Sequence, residues 1–298
     1  MTSLSNLLAS LRAASQSERE KGTYFEELIV CYLRNEATYR DLYSDVWTYA
    51  QWAELQGLDK RDAGIDLVAK TQGTGEIHAI RCKLYAENYR LQKGDIDSFF
   101  TASGKKPFAH RVIVSTTNHW SEHAEDALRD QQPPVSKIDL YDLENSQIDW
   151  ARYQPKAAPV LKDKKRLRPH QQNALNATLT GFQAADRGKL IMACGTGKTF
   201  AALKIAEALA GKGKRVLFLV PSLALLSQTL TEWTQESATP LHSFAVCSDI
   251  AAINIEAVYH SIVGGDYVPF EGICLTDTFQ MYEKEDLVDA LLVDNSAR

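Results

Sequence analysis

The sequence predicts a two-part α/β protein, with a helix-flanked mixed sheet in front and the beginning of a parallel α/β domain behind. Three observations support this fold class. Before residue 155, short apolar runs rich in β-branched residues alternate with amphipathic helical patterns. A basic stretch containing proline follows, as expected for a linker. Beyond the linker, strand-length and helix-length patterns alternate, an order typical of parallel sheets.

Composition limits the possible classes of protein. The 298 residues are 45% hydrophobic and 24% charged, which suits one to three globular domains. The net charge is −5, so any affinity for nucleic acid would have to come from local basic patches. No apolar run is long enough to span a membrane, and the N-terminus lacks the pattern of a signal peptide. The five cysteines are scattered, so we expect a reduced, cytoplasmic protein without disulfides or structural zinc.

The front domain opens with residues 1–21, which predict a polar helix or a frayed leader. From Gly22 to about Asn35, apolar residues recur at helical spacing and predict an amphipathic helix. A possible strand at Val46–Tyr49 and a loop at Gln56–Arg61 follow. The apolar side of the predicted helix consists of Phe25, Leu28, Ile29, Tyr32 and Leu33.

A hairpin is predicted next, from strands at Asp62–Lys70 and Ala79–Tyr85 joined by a turn. Side chains alternate along a strand, so Arg81 and Lys83 share one face. If the strands pair, Asp66 lies beside them. An acid and a lysine at neighbouring strand ends suit metal-dependent phosphodiester cleavage, in which the acid holds Mg²⁺ and the lysine stabilises developing negative charge.

The remaining front elements complete an α-β-β-α-β order, which fits a mixed sheet with flanking helices. A β-branched run predicts a buried strand, and Ser121 is placed to cap the helix that follows it. In chain order we predict a helix at Asp95–Thr101, a loop at Ser103–His110, a strand at Arg111–Thr116, the Ser121-capped helix and a strand at Lys137–Tyr141.

In the rear domain, strands and helices are predicted in the order β-α-β, and Gly211 occupies a helix C-cap position. Its predicted elements are a helix at Pro169–Thr180, a strand at Lys189–Ala193, a helix at Thr199–Ala210, a strand at Arg215–Val220 and a helix at Leu223–Glu236.

The strongest local motif is Ala193-Cys-Gly-Thr-Gly-Lys-Thr199, between a predicted strand and a predicted helix. Gly195, Thr196 and Gly197 let backbone N–H groups surround phosphate oxygens at a helix N-terminus. Lys198 would reach the β- and γ-phosphates, and the Thr199 hydroxyl would bind Mg²⁺. This motif predicts ATP binding.

Two flanking segments resemble motifs of superfamily 2 helicases and translocases, which also relax the first glycine of the loop, here Met192. Leu167-Arg-Pro-His-Gln-Gln172 is similar to their adenine-reading segment, which implies nucleotide contacts from Arg168 and Gln171. Val220–Gln228 is similar to their motif Ia, which implies DNA-backbone contacts from Ser222 and Gln228. The resemblance implies a partial RecA-like parallel domain.

The sequence shows neither an Asp-Glu Walker B pair nor an arginine finger, which hydrolysis needs. The nearest substitute for the Walker B pair is Asp294, but Asn295 follows it where glutamate is needed. The apolar residues before Asp294 also fit the face of an ordinary helix. ATP turnover by this chain alone is therefore not expected.

The front domain resembles the Mrr-like branch of PD-(D/E)xK nucleases, on the motifs Gly22-Thr-Tyr-Phe-Glu26, Gly64-Ile-Asp66 and Arg81-Cys-Lys83. This resemblance implies a restriction-endonuclease-like sheet in which Asp66 and the main-chain carbonyl of Cys82 hold a metal ion. Lys83 would be the catalytic lysine and Glu26 an auxiliary acid. Arg81 replaces the family's Gln or Glu; a guanidinium cannot ligate a metal, and it could instead pair with Asp66 in the metal's place.

His119-Trp-Ser-Glu-His123 matches the pattern of inverted zinc peptidases. The first histidine is predicted to precede the helix, and no third ligand is apparent, so we interpret these residues as polar residues at a helix start.

Taken in order, the domains resemble the N-terminal region of type ISP restriction–modification enzymes, which combine nuclease, translocase and methyltransferase in one chain. We divide the chain into a nuclease domain (1–155), a basic linker (156–167), a partial RecA-like domain (168–249) and a tail (250–298). The tail resembles the segment before a methyltransferase motif, which suggests an internal deletion.

The resemblance implies DNA restriction that uses Mg²⁺ and ATP, with double-stranded DNA as partner and with impaired cleavage. A non-catalytic DNA- or nucleotide-binding remnant is the alternative. A nuclease that acts without a motor is a third possibility. The sequence gives neither the DNA target nor the oligomeric state.

Overall fold

The computed structural model describes residues 2–59, 64–72, 74–129, 131–239 and 241, together with the backbone of 293–294. The chain divides into two compact units, a front unit (Met1–Lys162) and a rear unit (Asp163–Arg298). Apart from Val293 and Asp294, the tail assigned to 250–298 lies outside the described residues. No helix within the described ranges is long and apolar enough to cross a bilayer.

The front unit is built on a five-stranded mixed sheet in the order β1-β2-β3-β4-β5. The first three strands are antiparallel, and β3, β4 and β5 are parallel to one another. The elements in chain order are α1 (Ser3–Ala14), α2 (Glu18–Asn35), α3 (Ala37–Leu42), β1 (Tyr43–Thr48), α4 (Tyr49–Leu55), β2 (Leu67–Thr71), β3 (Ile77–Lys83), α5 (Asp97–Ser103), β4 (Phe108–Ser115), α6 (Glu122–Leu128), β5 (Val135–Ile138) and α7 (Leu140–Glu144).

The α2 helix shows why this sequence folds locally as it does. Ser17 caps it by accepting a hydrogen bond from the Glu20 backbone N–H at 3.2 Å, and acidic residues in the first turn suit the helix dipole. The predicted apolar stripe is confirmed, because Phe25, Leu28, Ile29, Tyr32 and Leu33 are all buried.

One hydrophobic core of the front unit is formed by residues of β2, β3 and β4 together with residues of α4, α5 and α6. Burying these side chains stabilises each by about 1.5–3 kcal/mol relative to exposure, so the core fixes the sheet that carries the site. The buried members of this cluster are Trp52, Ala53, Ile65, Val68, Ala79, Leu91, Ile96, Phe99, Phe108, Ile113, Trp120 and Ala124.

Of the two alternatives for residues 1–21, the helix is confirmed and the frayed leader is wrong, because α1 buries Leu4 and Leu8 and α2 begins at Glu18. Two further predictions for the front unit need correction. The predicted loop Ser103–His110 overlaps β4, which starts at Phe108. The predicted strand Lys137–Tyr141 ends at Ile138, because the Asp139 side chain accepts hydrogen bonds from the first turn of α7.

Other boundaries in the front unit shift by a few residues. The strand predicted at Val46–Tyr49 is β1, which runs from Tyr43 to Thr48. The helix predicted at Asp95–Thr101 is a 3₁₀ turn at Lys93–Asp95 followed by α5. Ser121 caps α6 as predicted, by accepting a hydrogen bond from the Ala124 backbone N–H at 3.2 Å.

The described residues of the rear unit form mainly helices around a small core. Its elements are α8 (Pro169–Ala184), α9 (Lys198–Ala210), β6 (Arg215–Val216), α10 (Leu223–Glu236) and β7 (Val293–Asp294). The rings of Phe218 and Trp233 pack with centroids 4.7 Å apart, next to buried Phe200 and Leu203. The Trp233 Nε1–H donates to the Thr199 carbonyl at 3.0 Å, which anchors the first turn of α9 to α10.

The parallel sheet predicted for the rear domain is not formed by the described residues. Residues 189–193 are not a strand, and the Ile191 side chain is 90% exposed. The strand predicted at Arg215–Val220 shrinks to β6, which pairs antiparallel with β7. An apolar run becomes a strand only when a neighbour satisfies its backbone groups, and no such neighbour borders 189–193 within the described part of the chain.

Candidate functional site

The antiparallel pairing of β2 and β3 determines where the nuclease motif residues lie. Leu67 is paired with Ile80, and the Asp66 backbone N–H donates to the Ile80 carbonyl at 3.0 Å. Asp66 therefore stands at the start of β2 beside the end of β3, which carries Arg81 and Lys83. The structure brings the predicted acid and the predicted lysine to the same end of one hairpin.

Arg81 and Asp66 form a direct ion pair at this point. The Arg81 Nη1 lies 2.8 Å from Asp66 Oδ1, and the two side chains are only 17% and 14% exposed. The second oxygen, Asp66 Oδ2, accepts a hydrogen bond from the Cys82 backbone N–H at 2.6 Å. Both carboxylate oxygens are thus engaged by donors from β3.

The Cys82 thiol is the next side chain along β3, and α2, which carries Glu26, packs against this strand. Burial raises the pKa of the Cys82 thiol, and the negative charges of Asp66 and Glu26 raise it further, against an opposing effect of Arg81. The thiol therefore stays protonated and is neither a metal-ligating thiolate nor a nucleophile. Because side chains alternate along a strand, Cys82 leaves β3 on the face opposite to Arg81 and Lys83.

Lys83 is the last residue of β3, opposite Ser115 in β4. Its Nζ lies 5.9 Å from the centroid of the Tyr85 ring. Tyr85 in turn stacks on Tyr89 with ring centroids 4.2 Å apart. Burial and the Asp95 carboxylate both raise the pKa of the Tyr85 phenol, so it remains neutral beside the lysine.

The residues at this hairpin do not fit a magnesium ion as they stand. Mg²⁺ needs oxygen ligands in a nearly octahedral arrangement, but both Asp66 oxygens accept hydrogen bonds from β3. Within the described ranges, no group of three or more His, Cys, Asp or Glu residues is placed to hold a metal ion. This includes His119 and His123; His119 precedes α6, as the sequence predicted.

The phosphate loop has the geometry that its sequence requires. Gly195 and Gly197 have φ of 73° and 75°, a region that residues with a side chain rarely adopt. Lys198 is the first residue of α9, and its Nζ donates to the Ala193 carbonyl at 3.0 Å. The loop is exposed at a helix N-terminus, and so is its thiol, Cys194. Backbone donors, the helix dipole and a lysine fit the phosphates of a nucleotide.

Gln171 lies against this loop and is buried. Its Nε2 donates to the carbonyls of Thr196 at 3.0 Å and Gly197 at 3.2 Å, and its Oε1 accepts from the Arg168 backbone N–H at 2.9 Å. A Cβ at position 197 would lie 2.5 Å from Gln171 Nε2, so this close approach requires glycine. The predicted adenine-reading side chain thus braces the loop.

The two predicted DNA contacts lie at and in α10. Ser222 caps the helix, where its Oγ accepts from the Leu225 backbone N–H at 3.4 Å. Gln228 lies within the helix, and both residues are exposed.

Sequence reasoning missed several residues that shape these sites. The Arg12 guanidinium of α1 donates to the Tyr85 carbonyl, and the Thr116 hydroxyl donates to the same carbonyl at 2.7 Å. In the rear unit, the His170 ring Nε2 lies 3.1 Å from the Thr196 carbonyl. These contacts span 26 to 73 positions, so local spacing carries no signal for them.

Comparisons with known families and structures found relatives of both parts of the chain. Residues 34–160 match the family model described as restriction endonuclease. Residues 164–261 match the family model described as type III restriction enzyme, res subunit. The structure titled "ATP-dependent Type ISP restriction-modification enzyme LlaBIII bound to DNA" is 36% identical over 87% of this chain, with a TM-score of 0.64. The chain carries a restriction-endonuclease domain followed by a helicase-like domain, and it is similar to part of a type ISP enzyme.

The restriction-endonuclease-like sheet and the helicase-like region that follows it agree with the sequence prediction. It spans 16% of the length of the LlaBIII chain. The DNA modification-dependent restriction endonuclease AspBHI aligns at 18% identity over 47% of this chain and 34% of its own, and its TM-score of 0.33 supports no argument. Comparison with curated protein sequences gave no match.

Proposed function

We propose that this chain acts in DNA restriction, as a nuclease-type domain joined to the first part of an ATP-dependent DNA translocase, with impaired cleavage. The restriction-endonuclease and helicase-like domains and the similarity to LlaBIII support the general role, and LlaBIII is described as ATP-dependent and bound to DNA. Double-stranded DNA is the partner that this role requires. The proposed domains remain 1–155, 156–167 and 168–249, with the tail at 250–298.

The Asp66–Arg81 ion pair carries the proposal that cleavage is impaired. At 2.8 Å, the guanidinium occupies the side of Asp66 that a metal ion would need. A permanent positive charge this close repels a divalent cation, and the repulsion is strong because both side chains are largely buried. Asp66, Lys83 and the Cys82 carbonyl stand at the same end of the β2–β3 hairpin, which supports a nuclease-type site in which Arg81 is the residue that opposes a metal ion.

The phosphate loop supports ATP as the nucleotide of the rear unit. Backbone N–H groups of Gly195–Thr199 and the Lys198 ammonium would hold the phosphates, and the Thr199 hydroxyl would hold Mg²⁺. Bound ATP would supply the phosphoanhydride whose hydrolysis drives translocation in an intact motor. Asp294, the nearest substitute for a Walker B residue, belongs to the antiparallel strand β7 and is followed by Asn295 where glutamate is needed, so we expect binding without turnover.

The alternative is a non-catalytic DNA- or nucleotide-binding protein, and the same ion pair favours it for the chemistry of the front unit. A restriction enzyme would cleave DNA and hydrolyse ATP at a measurable rate, whereas a non-catalytic binding protein would do neither. Plasmid nicking reports on the front unit, and phosphate release from ATP reports on the rear unit. A motor-independent nuclease would nick DNA in the absence of ATP.

The deciding experiment is plasmid nicking by the wild type and by Arg81→Gln, each with Mg²⁺ or Mn²⁺. We expect Arg81→Gln to nick at least about tenfold faster, because removal of the guanidinium lowers the barrier by more than about 1.4 kcal/mol. The double variant Arg81→Gln/Lys83→Ala, which lacks the catalytic lysine, is the matched control and should be inactive. Equal nicking by the wild type and Arg81→Gln would contradict impairment by Arg81.

A further inference from the structure

We propose that Arg81 and Lys83 form a metal-independent binding site for a backbone phosphate of duplex DNA, with Asp66 as the anchor of the guanidinium. The Arg81 guanidinium would supply the positive charge that a metal ion otherwise brings to such a site. This inference rests on the proposed function for its ligand, since DNA restriction makes the phosphodiester backbone the natural anion.

The first support is the unused hydrogen-bonding capacity of Arg81. A guanidinium has five N–H donors in a planar fork that matches phosphate oxygens. Nη1 is directed to Asp66 Oδ1, which fixes the orientation of the fork. Nε is buried and has no hydrogen-bond partner among the residues that the structure describes. Asp66 therefore uses only part of the fork, and an oxygen ligand would meet the remaining donors at the exposed 17% of the side chain.

The second support is the placement of Lys83. Residues two apart on a strand project to the same side, with their Cα atoms about 7 Å apart, so Arg81 and Lys83 face the same region. The Lys83 ammonium is held near the Tyr85 ring at 5.9 Å, and Tyr85 is fixed by its stack on Tyr89. A fork and an ammonium on one side of a strand end suit a phosphate better than a cation.

The charges around the cluster are consistent with an anion as ligand. Asp66 is neutralised by Arg81, so it does not repel a phosphate as a lone carboxylate would. Glu26 is the carboxylate whose influence reaches Cys82, and the Cys82 side chain leaves the strand on the side opposite to Arg81 and Lys83. Asp95 is engaged by the Tyr89 hydroxyl at 3.0 Å.

The test is fluorescence anisotropy of a labelled DNA duplex titrated with the full chain, in EDTA and in MgCl₂. We expect the wild type to bind equally well in both. Arg81→Gln in EDTA should bind about tenfold more weakly, the loss expected of one charge-assisted phosphate contact. The slope of log affinity against log salt should fall by about one. With the guanidinium gone and Asp66 released, MgCl₂ should restore part of the affinity.

Arg129→Gln is the matched control, because it removes the same charge from the front unit at a residue that is 75% exposed and paired with Asp126. It should bind like the wild type. Arg81→Lys keeps the positive charge but removes the planar guanidinium. The slope of log affinity against log salt should therefore stay unchanged, while the affinity for the duplex falls. This variant also tests the site if thermal melting shows that Arg81→Gln does not fold.

Three outcomes would overturn the proposal. Equal binding in EDTA by the wild type, Arg81→Gln and Arg81→Lys would remove Arg81 from the DNA interface and leave the proposed restriction function intact. Wild-type binding that requires MgCl₂ would show that a metal ion, not the guanidinium, holds the phosphate. Failure of the wild type to bind DNA in either buffer would overturn both this inference and the role of DNA in the proposed function.

Discussion

At the scale of single residues, Gln171 shows how one side chain joins a helix to the phosphate loop. Both protons of its amide are directed to the carbonyls of Thr196 and Gly197. Pairing with the adenine edge, which the resemblance implied, requires a donor from the same amide nitrogen to N7 of the base. That donor is available only if a hydrogen bond to the loop is broken.

We therefore predict that Gln171→Ala weakens the binding of ATP and GTP to the same degree, by about tenfold for the loss of a bracing contact worth roughly 1 kcal/mol or more. Titration with fluorescent analogues of both nucleotides measures this. Gln172→Ala is the control, because Gln172 is exposed and bonds Asn176 instead. A loss confined to ATP would show that Gln171 reads the base.

At the scale of an element, the start of α10 separates a structural role of Ser222 from its predicted DNA contact. The Ser222 Oγ accepts from the Leu225 backbone N–H, an N-cap interaction. Ser222→Ala should therefore lower the free energy of unfolding of the rear unit by about 1 kcal/mol, measured by urea denaturation.

Ser222→Asp is the informative partner variant. Aspartate is as good an N-cap as serine and its charge suits the helix dipole, so stability should be retained. If Ser222 touches a DNA phosphate, the same charge should weaken duplex binding in an anisotropy titration. Unchanged DNA affinity in Ser222→Asp would confine Ser222 to the capping role.

Helices were predicted better than strands, and the reason is physical. The bounds of α10 agree with the prediction, and α9 differs by one residue, because apolar spacing and caps act within a few positions. The strand predicted at 189–193 is absent because a strand depends on partners far away in the chain. The β2–β3 hairpin was predictable because its two strands are joined by a short turn.

In the candidate site too, contacts between residues close in the sequence could be predicted, whereas contacts between distant residues could not. Asp66, Arg81 and Lys83 could be placed together from strand alternation and hairpin pairing alone. The roles of Arg12 and Gln171 could not, since their partners Tyr85 and Thr196 lie far along the chain. The pairing of Arg81 with Asp66 was one of two possibilities that the residue types allowed, and the structure shows it formed.

At the scale of the whole molecule, one buried carboxyl makes stability depend on pH. Burial raises the pKa of the Asp142 carboxyl from 3.8 to about 6. The native state thus holds a proton that the unfolded chain releases between these values, so this stabilising contribution is lost as pH rises through about 6. The loss is at most about 3 kcal/mol.

Asp142→Asn should therefore be more stable than the wild type at pH 8, with a difference that shrinks towards pH 4. Urea denaturation across this range measures it. Asp126→Asn, at a carboxylate that is 52% exposed, is the control and should parallel the wild type. A pH-independent difference for Asp142→Asn would contradict the assignment.

The linker prediction also belongs to the whole molecule. The segment 156–167 was predicted to be a basic tether, but its middle part pairs with the front unit. Leu161 forms an antiparallel bridge with Ile148, and the Lys162 backbone N–H donates to the Gln147 carbonyl at 2.7 Å. On the rear side, the Lys165 backbone N–H donates to Glu236 Oε2 at 2.6 Å.

We predict that a fragment of residues 1–162 unfolds at a higher urea concentration than a fragment of residues 1–155. The shorter fragment lacks the backbone hydrogen bonds of 160–162, each worth about 0.5–1.5 kcal/mol. Circular dichroism during urea titration measures the midpoints. Equal midpoints would show that the 160–162 pairing does not contribute to the stability of the front unit.

The exposed thiol of the phosphate loop has a practical consequence. Cys194 is exposed, whereas Cys31 and Cys82 are partly buried and burial raises their pKa, which slows their alkylation. With Cys247 and Cys274 replaced by serine, a maleimide dye would attach preferentially at Cys194. The emission of that dye would then report directly on nucleotide arrival at the loop, independently of any turnover.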